Sequence, residues 1–88
     1  MLKLDFLLKQ EQIAIEVKKT SDNLDAKKVA EQLMIDIQRY QNHPDCKMLI
    51  CFVYDPEGRI GNPTGLESDL SRSEKGLEVL VFIRPKSS

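Results

Sequence analysis

Two acidic residues and one lysine near the N-terminus have types and spacing suited to metal-ion chemistry. Ten residues separate Asp5 from Glu16, and Lys18 lies two positions after Glu16. Carboxylate oxygens are hard ligands that suit magnesium or manganese, and a neighbouring ammonium can contact a water or phosphate oxygen held by the metal. The implied reaction is hydrolysis of a phosphodiester bond, in which the metal polarises the phosphoryl group and activates a bound water.

The elements around these residues would bring them together on one hairpin. Residues 1–9 and 13–18 alternate between apolar and other side chains, which predicts two antiparallel strands. A loop of two or of four residues, centred on Gln10 and Glu11, gives paired residues whose numbers sum to 21. Asp5 then lies opposite Glu16, and the apolar residues of the two strands match pair by pair.

Two interpretations of this polar hairpin face remain open at this point. Opposed carboxylates destabilise a sheet unless a cation offsets their repulsion, which favours a metal site. A triplet such as Glu16-Val17-Lys18 is also expected by chance in a chain rich in Glu and Lys, and solvated strand faces carry such residues routinely. Asp5 is harder to explain in that way, because Asp is depleted from strand interiors.

The middle of the chain predicts a helix followed by a buried strand. Apolar residues recur at helical spacing from about Leu24 to Gln41, and the residues just before them offer three N-cap candidates: Ser21, Asp22 and Asn23. Residues 47–55 form an almost unbroken apolar run. Such a run predicts the central strand of the sheet, buried on both faces.

The last third of the chain predicts a second helix and a final strand. Asn62-Pro63 has the chemistry of an N-cap followed by a first helical residue, so a short helix runs toward Ser73 and ends before Gly76. Residues 77–83 form a strand, and residues 85–88 form a flexible tail after a single domain of residues 1–84. The resulting class is mixed α/β, in the order β-β-α-β-α-β, with a parallel crossover through each helix.

Length and charge exclude several classes of function. The 88 residues make one domain at most, and 41% hydrophobic with 31% charged residues is typical of a folded globular protein. A formal net charge of −1 creates no overall field that would attract a polyanion, so affinity for nucleic acid must come from local clustering.

Cys46, Cys51 and His43 lack the spacing of a zinc site. No apolar run is long enough to cross a bilayer and no signal peptide is visible, so the expected compartment is the cytoplasm.

Several segments together resemble a known nuclease family. The N-terminal segments are Asp5-Phe6-Leu7-Leu8-Lys9 and Ile15-Glu16-Val17-Lys18-Lys19-Thr20. They are similar to the PD-(D/E)XK nuclease superfamily, in particular to the DpnII/MboI-like restriction endonucleases. The helical segment 31–40, the run 51–58 and Gly61-Asn62-Pro63 resemble the C-terminal region of that family. The resemblance covers nearly all of the chain.

The resemblance implies a magnesium-dependent (or manganese-dependent) endonuclease that acts on DNA. Asp5 and Glu16 would be metal ligands, and the main-chain carbonyl of Val17 would assist them. Lys18 would be the catalytic lysine, either as the base that positions the attacking water or as a stabiliser of charge. Gln32 is an accessory candidate on the helix that packs beside the active site in such nucleases. Lys28 and Asp36 lie one turn on either side of Gln32, and a solvated helix face is the open alternative for these three residues.

The resemblance also implies that an upstream part of the fold is missing. The family core is built as α-β-β-β-α-β, whereas this sequence begins at the strand that carries Asp5. Apolar surface that the first helix normally covers would then be exposed. We therefore expect a homodimer or higher oligomer whose interface uses the N-terminal hairpin or a free sheet edge. The alternative function is a non-catalytic oligomerisation or DNA-interaction module that keeps the fold.

Overall fold

The fold is a five-stranded mixed sheet with two helices, described by a computed structural model for the backbone of residues 3–86 and the side chains of residues 6–86. The strands are β1 (Lys3–Leu8), β2 (Ile13–Lys19), β3 (Met48–Tyr54), β4 (Arg72–Glu74) and β5 (Leu77–Arg84). The helices are α1 (Ala26–Gln41) and α2 (Pro63–Leu70). The predicted mixed α/β class is confirmed. The predicted strand start at Met1 and the last two residues of the predicted tail lie outside the described residues.

The N-terminal hairpin has the predicted register. β1 pairs with β2 in antiparallel fashion, with Asp5 opposite Glu16 and Leu8 opposite Ile13. The loop is the four-residue alternative, and its last residue, Gln12, takes a left-handed backbone conformation with φ of 61°. The turn and the matched apolar pairs therefore fix the same alignment.

Both crossovers are parallel, as predicted. β2 pairs with β3 and β3 pairs with β5, each in parallel, so α1 and α2 are the two crossover helices. The strand order is β1-β2-β3-β5-β4, which makes β3 the central strand. Asn62 caps α2 as predicted, because its Oδ1 accepts a hydrogen bond from the Gly65 N–H at 3.1 Å.

The start of α1 differs from the prediction. Its N-cap is Asp25, whose Oδ1 accepts a hydrogen bond from the Lys28 N–H at 3.1 Å, rather than one of the three polar residues before it. Ser21 and Leu24 instead exchange two backbone hydrogen bonds of 3.1 Å. Leu24 is 1% exposed, so burial of its side chain holds it in this turn and delays the helix by two residues.

The end of α2 also differs from the prediction. The helix stops at Leu70, and a three-residue strand, β4, takes the place of its predicted last turn. Lys75 and Gly76 have φ values of 52° and 79°, the left-handed conformations that a tight hairpin turn needs at both central residues. This turn folds β4 back onto β5. Gly76 therefore lies in the turn between β4 and β5 and does not end a helix.

The sheet is buried on one face only, so the prediction that β3 is buried on both faces is wrong. Side chains from both helices and from alternate strand residues form one core: Ala14, Leu24, Val29, Leu33, Ile37, Tyr40, Cys46, Leu49, Cys51, Val53, Ile60, Leu70, Leu77, Val79, Val81 and Ile83. Met48, Ile50 and Phe52 point to the opposite face and are half-buried. That opposite side, which neither helix covers, is called the outer face below.

Asp55 fixes the chain where it leaves β3. Its Oδ1 accepts hydrogen bonds from the Thr20 hydroxyl at 2.7 Å and the Arg59 N–H at 2.9 Å, and its Oδ2 accepts one from the Ile60 N–H at 2.9 Å. Burial by itself would raise the pKa of Asp55, but these hydrogen bonds and the Arg59 charge outweigh it and lower the pKa. The charged form is therefore the one that the fold stabilises.

We expect Asp55→Asn to lower the free energy of unfolding by about 2–3 kcal/mol, because an amide nitrogen cannot accept the hydrogen bonds of a buried carboxylate. The contribution of a lowered pKa is present above the ordinary Asp value and is lost as the pH falls through the folded value. Urea unfolding should therefore show a difference in the free energy of unfolding between the wild type and Asp55→Asn that is smaller at acid pH than at neutral pH. Asp69→Asn, at an exposed position, is the matched control. An Asp55 variant as stable as this control would contradict the account.

Candidate functional site

Two acidic and two basic side chains meet between β2 and α1. The Lys18 Nζ lies 2.9 Å from the Asp36 Oδ2 and 3.7 Å from the Glu16 Oε1. The Arg39 Nη2 lies 3.3 Å from the Asp36 Oδ1 and 3.8 Å from the Glu16 Oε1. Each cation therefore contacts both carboxylates. These four residues are called the charge cluster.

The periodicities of one strand and one helix build the cluster. Glu16 and Lys18 are two residues apart in β2, so they point to the same face of the sheet. Asp36 and Arg39 are three residues apart in α1 and therefore lie on one side of the helix. Because α1 packs on the face that carries Glu16 and Lys18, the two pairs interlock.

The cluster is buried, so the interpretation of this strand face as solvated is wrong. Glu16, Lys18 and Asp36 are 0%, 1% and 3% exposed, whereas the Arg39 side chain is 52% exposed. Isolated charges at such depth are strongly unfavourable, and pairing with opposite charges reduces that penalty. The alternation of β2 was predicted correctly, but the helices cover its charged face.

The Lys18 ammonium is stabilised in its charged form. Burial by itself would lower the pKa of Lys18, but the hydrogen bond to Asp36 and the negative charges of Glu16 and Asp36 outweigh it and raise the pKa. Lys18 therefore carries a proton at neutral pH. In this arrangement it acts as a fixed positive charge and a hydrogen-bond donor rather than as a base.

Of the two other predicted ligands, Asp5 is described by its backbone alone, and Val17 is described with its side chain. Asp5 is the backbone partner of Glu16 across the hairpin, but its side chain lies outside the described side chains. Val17 directs its side chain to the outer face and is half-buried. Among the side chains of residues 6–86, no three His, Cys, Asp or Glu residues form a group that could hold a metal ion. A metal at Glu16 would therefore need Asp5 or main-chain oxygens as further ligands.

On α1, Asp36 rather than Gln32 reaches the charge cluster. Gln32 is half-buried one turn earlier, and Lys28 is exposed, as the solvated alternative predicted for it. Asp36 is buried, so that alternative is wrong for Asp36. The sequence contained a signal for it, because Asp36 lies between Leu33 and Ile37 within the apolar stripe of the helix. A charged residue inside such a stripe requires a buried partner.

We expect Asp36→Asn to lower the free energy of unfolding by about 3 kcal/mol, because it removes the closest partner of a buried ammonium. Stability conferred by the raised Lys18 pKa is complete below about pH 10.4 and is lost as the pH rises through the folded value. Urea unfolding from neutral to alkaline pH should show the gap between the wild type and Asp36→Asn close at high pH. Asp45→Asn, in the loop after α1, is the control. Equal stability of the wild type and Asp36→Asn at neutral pH would show that the contact is not stabilising.

Comparison with known proteins gives one family match. The family model REase_DpnII-MboI, which describes DpnII-MboI restriction endonucleases, matches residues 1–86. No curated protein and no solved structure matches the chain significantly. Within the described part of the chain, no helix is long and apolar enough to cross a membrane. The family match spans both helices, the sheet and every residue of the charge cluster. The chain therefore belongs to the DpnII-MboI restriction endonuclease family.

Proposed function

We propose that this chain carries the catalytic residues of a magnesium-dependent DNA endonuclease. The observation that supports the proposal most directly is the contact between Glu16 and Lys18 on a buried strand of an endonuclease family member. Asp5, the backbone partner of Glu16, would supply the second acidic ligand. Glu16, Asp5 and the main-chain carbonyl of Val17 would together bind Mg²⁺ or Mn²⁺.

The donor types fit such a cation. Carboxylate and carbonyl oxygens are the ligands that Mg²⁺ prefers, and one or two carboxylates are a typical protein contribution. Within the charge cluster, Lys18 is closer to Asp36 than to Glu16, at 2.9 Å against 3.7 Å. Asp36 is therefore the nearer partner of Lys18, and Glu16 is the carboxylate of the cluster that lies opposite Asp5, where the two could share a metal.

Lys18 and Asp36 then have distinct roles in phosphodiester hydrolysis. When bound, the metal polarises the phosphoryl group and lowers the pKa of a coordinated water. Lys18, as an ammonium, donates a hydrogen bond to the attacking water or to a phosphate oxygen and stabilises the negative charge that develops there. Asp36 orients the Lys18 ammonium through their 2.9 Å contact. It is a positioning residue in this scheme.

Access of DNA requires the cluster to open. Lys18 and Glu16 have almost no exposed surface, because α1 lies over them. Arg39 is the one member with a largely exposed side chain, and a guanidinium binds phosphate oxygens well. A DNA phosphate that engages Arg39 would draw it away from Glu16 and Asp36. The proposal therefore includes a displacement of the Arg39 side chain when DNA binds.

The burial of Glu16 and Lys18 also favours a second candidate function. A mutually neutralised set of four charges, three of them buried, can serve as a structural contact between a strand and a helix. In that case the chain is a non-catalytic oligomerisation or DNA-interaction module that retains the family fold. The two candidates differ in whether the cluster binds a divalent cation.

We expect the chain to cleave duplex DNA with Mg²⁺ or Mn²⁺ and to lose cleavage in chelator. Glu16→Gln and Lys18→Met should each lower the rate by about a hundredfold or more, because they remove a ligand and a charge that act in the transition state. Glu57→Gln, at an exposed position in the turn after β3, is the matched control. Circular dichroism should first show that each variant is folded. Metal-dependent cleavage that persists in Glu16→Gln would contradict the proposed site, and a wild type that binds DNA without cutting it would favour the second candidate.

A further inference from the structure

Arg39 differs from the other members of the charge cluster in its exposure. Its side chain is 52% exposed, whereas Glu16, Lys18 and Asp36 are almost fully buried. Its guanidinium also lies 4.9 Å from the centre of the Tyr40 ring, at the edge of the core. Within the cluster, Arg39 is therefore the cation that can turn into water without leaving a buried position.

Glu16 has no direct hydrogen bond with either cation of the cluster. The Lys18 Nζ and the Arg39 Nη2 lie 3.7 Å and 3.8 Å from the same oxygen, Oε1. A hydrogen bond from a cation to a carboxylate is shorter, at about 2.7–2.9 Å. Both cations therefore act on Glu16 through charge at longer range. A Mg²⁺ ion bound at about 2.1 Å would approach the carboxylate more closely than either side chain does.

Arg39 is the cation that would have to yield if Glu16 bound a metal. A divalent ion beside Glu16 and a guanidinium within about 4 Å of the same oxygen repel each other. Lys18 is held in place by burial and by its 2.9 Å contact with Asp36. Arg39 is half-exposed, and ion pairs of exposed side chains contribute little to stability. Its departure would also leave Asp36 paired with Lys18.

A DNA phosphate offers Arg39 another partner. The planar guanidinium donates two parallel hydrogen bonds to phosphate oxygens, a geometry that neither of its present contacts, at 3.3 Å and 3.8 Å, provides. An Arg39 side chain that turns toward a phosphate leaves Glu16 more negative. A bound metal conversely repels Arg39 and so makes it available to a phosphate. Each ligand would therefore favour the binding of the other.

We propose that Arg39 is a displaceable counter-ion that neutralises Glu16 in the free protein and couples metal binding to DNA binding. Divalent cations then bind weakly until a DNA phosphate draws Arg39 away. The inference rests on the proposed function, because it takes Glu16 as a metal ligand. It goes beyond that function by assigning Arg39 a regulatory role, in which the same side chain weakens metal binding and strengthens DNA binding.

The effects of Arg39→Gln on the two affinities test this role. We expect the variant to bind Mn²⁺ about five- to tenfold more tightly, measured without DNA from the electron paramagnetic resonance signal of the free ion, because a competing charge is removed. In chelator, it should bind duplex DNA about three- to tenfold more weakly and with a smaller salt dependence. A residue with a purely structural role would not change the two affinities in opposite directions.

Arg72→Gln is the matched control. Arg72 is also a partly exposed arginine near a carboxylate, at 3.5 Å from the Glu74 Oε2, but it lies in β4. We expect it to leave the Mn²⁺ affinity unchanged. An Arg39→Gln variant that binds Mn²⁺ no more tightly than the wild type, or that binds DNA equally well, would overturn the proposal.

Mg²⁺ titration of the wild type, followed by NMR, tests the displacement without a substitution. We expect the Arg39 Nε–H signal to shift and to exchange faster with water in step with the amide signals of residues 16–18. A response of residues 16–18 with an unchanged Arg39 signal would overturn the displacement and leave the proposed metal site intact. No response at residues 16–18 would contradict the metal site itself, and the role of Arg39 with it.

Discussion

The contact between the buried Lys18 ammonium and the Asp36 carboxylate is the constraint on which the rest of this fold depends. The two atoms lie 2.9 Å apart beneath α1, and each residue is almost fully buried. Neither charge is tolerable at that depth without opposite charges beside it. The helix lies across the sheet face that carries both Lys18 and the apolar core, and it cannot cover the outer face at the same time. The buried charge cluster and the exposed outer face therefore both follow from the side of the sheet on which α1 packs.

The packing of α1 over Lys18 also affects the chemistry that the charge cluster can perform. Asp36 and Glu16 raise the pKa of Lys18, which stabilises its charged form at neutral pH. In a member of the DpnII-MboI restriction endonuclease family, this favours stabilisation of phosphate charge as the role of the lysine. The half-exposed Arg39 is then the part of the cluster that meets solvent and, in the proposed function, the DNA.

The sequence predicted connectivity and register well, but it did not predict which sheet face is buried. Alternation and turn length place Asp5 opposite Glu16 whichever face the helices cover. The hairpin pattern left open whether the face of Glu16 and Lys18 is solvated, and the structure buries that face together with the apolar core. Helical spacing identified Asp36 only as a neighbour of Gln32, because spacing along one helix does not show which residue of another element a polar side chain contacts. The three residues of β4 carry too short a pattern to distinguish a strand from the last turn of a helix.

Backbone amide NMR during titration with Mn²⁺ tests most directly whether this cluster is a metal site. Mn²⁺ is paramagnetic and broadens the signals of nearby nuclei, so the measurement locates the ion without relying on cleavage. We expect substoichiometric Mn²⁺ to broaden the amide signals of Asp5 and of residues 16–18 first, and Glu16→Gln to abolish that selectivity. Broadening that begins at exposed acidic positions such as Glu57, or that is the same in Glu16→Gln, would contradict the assignment of metal binding to β2.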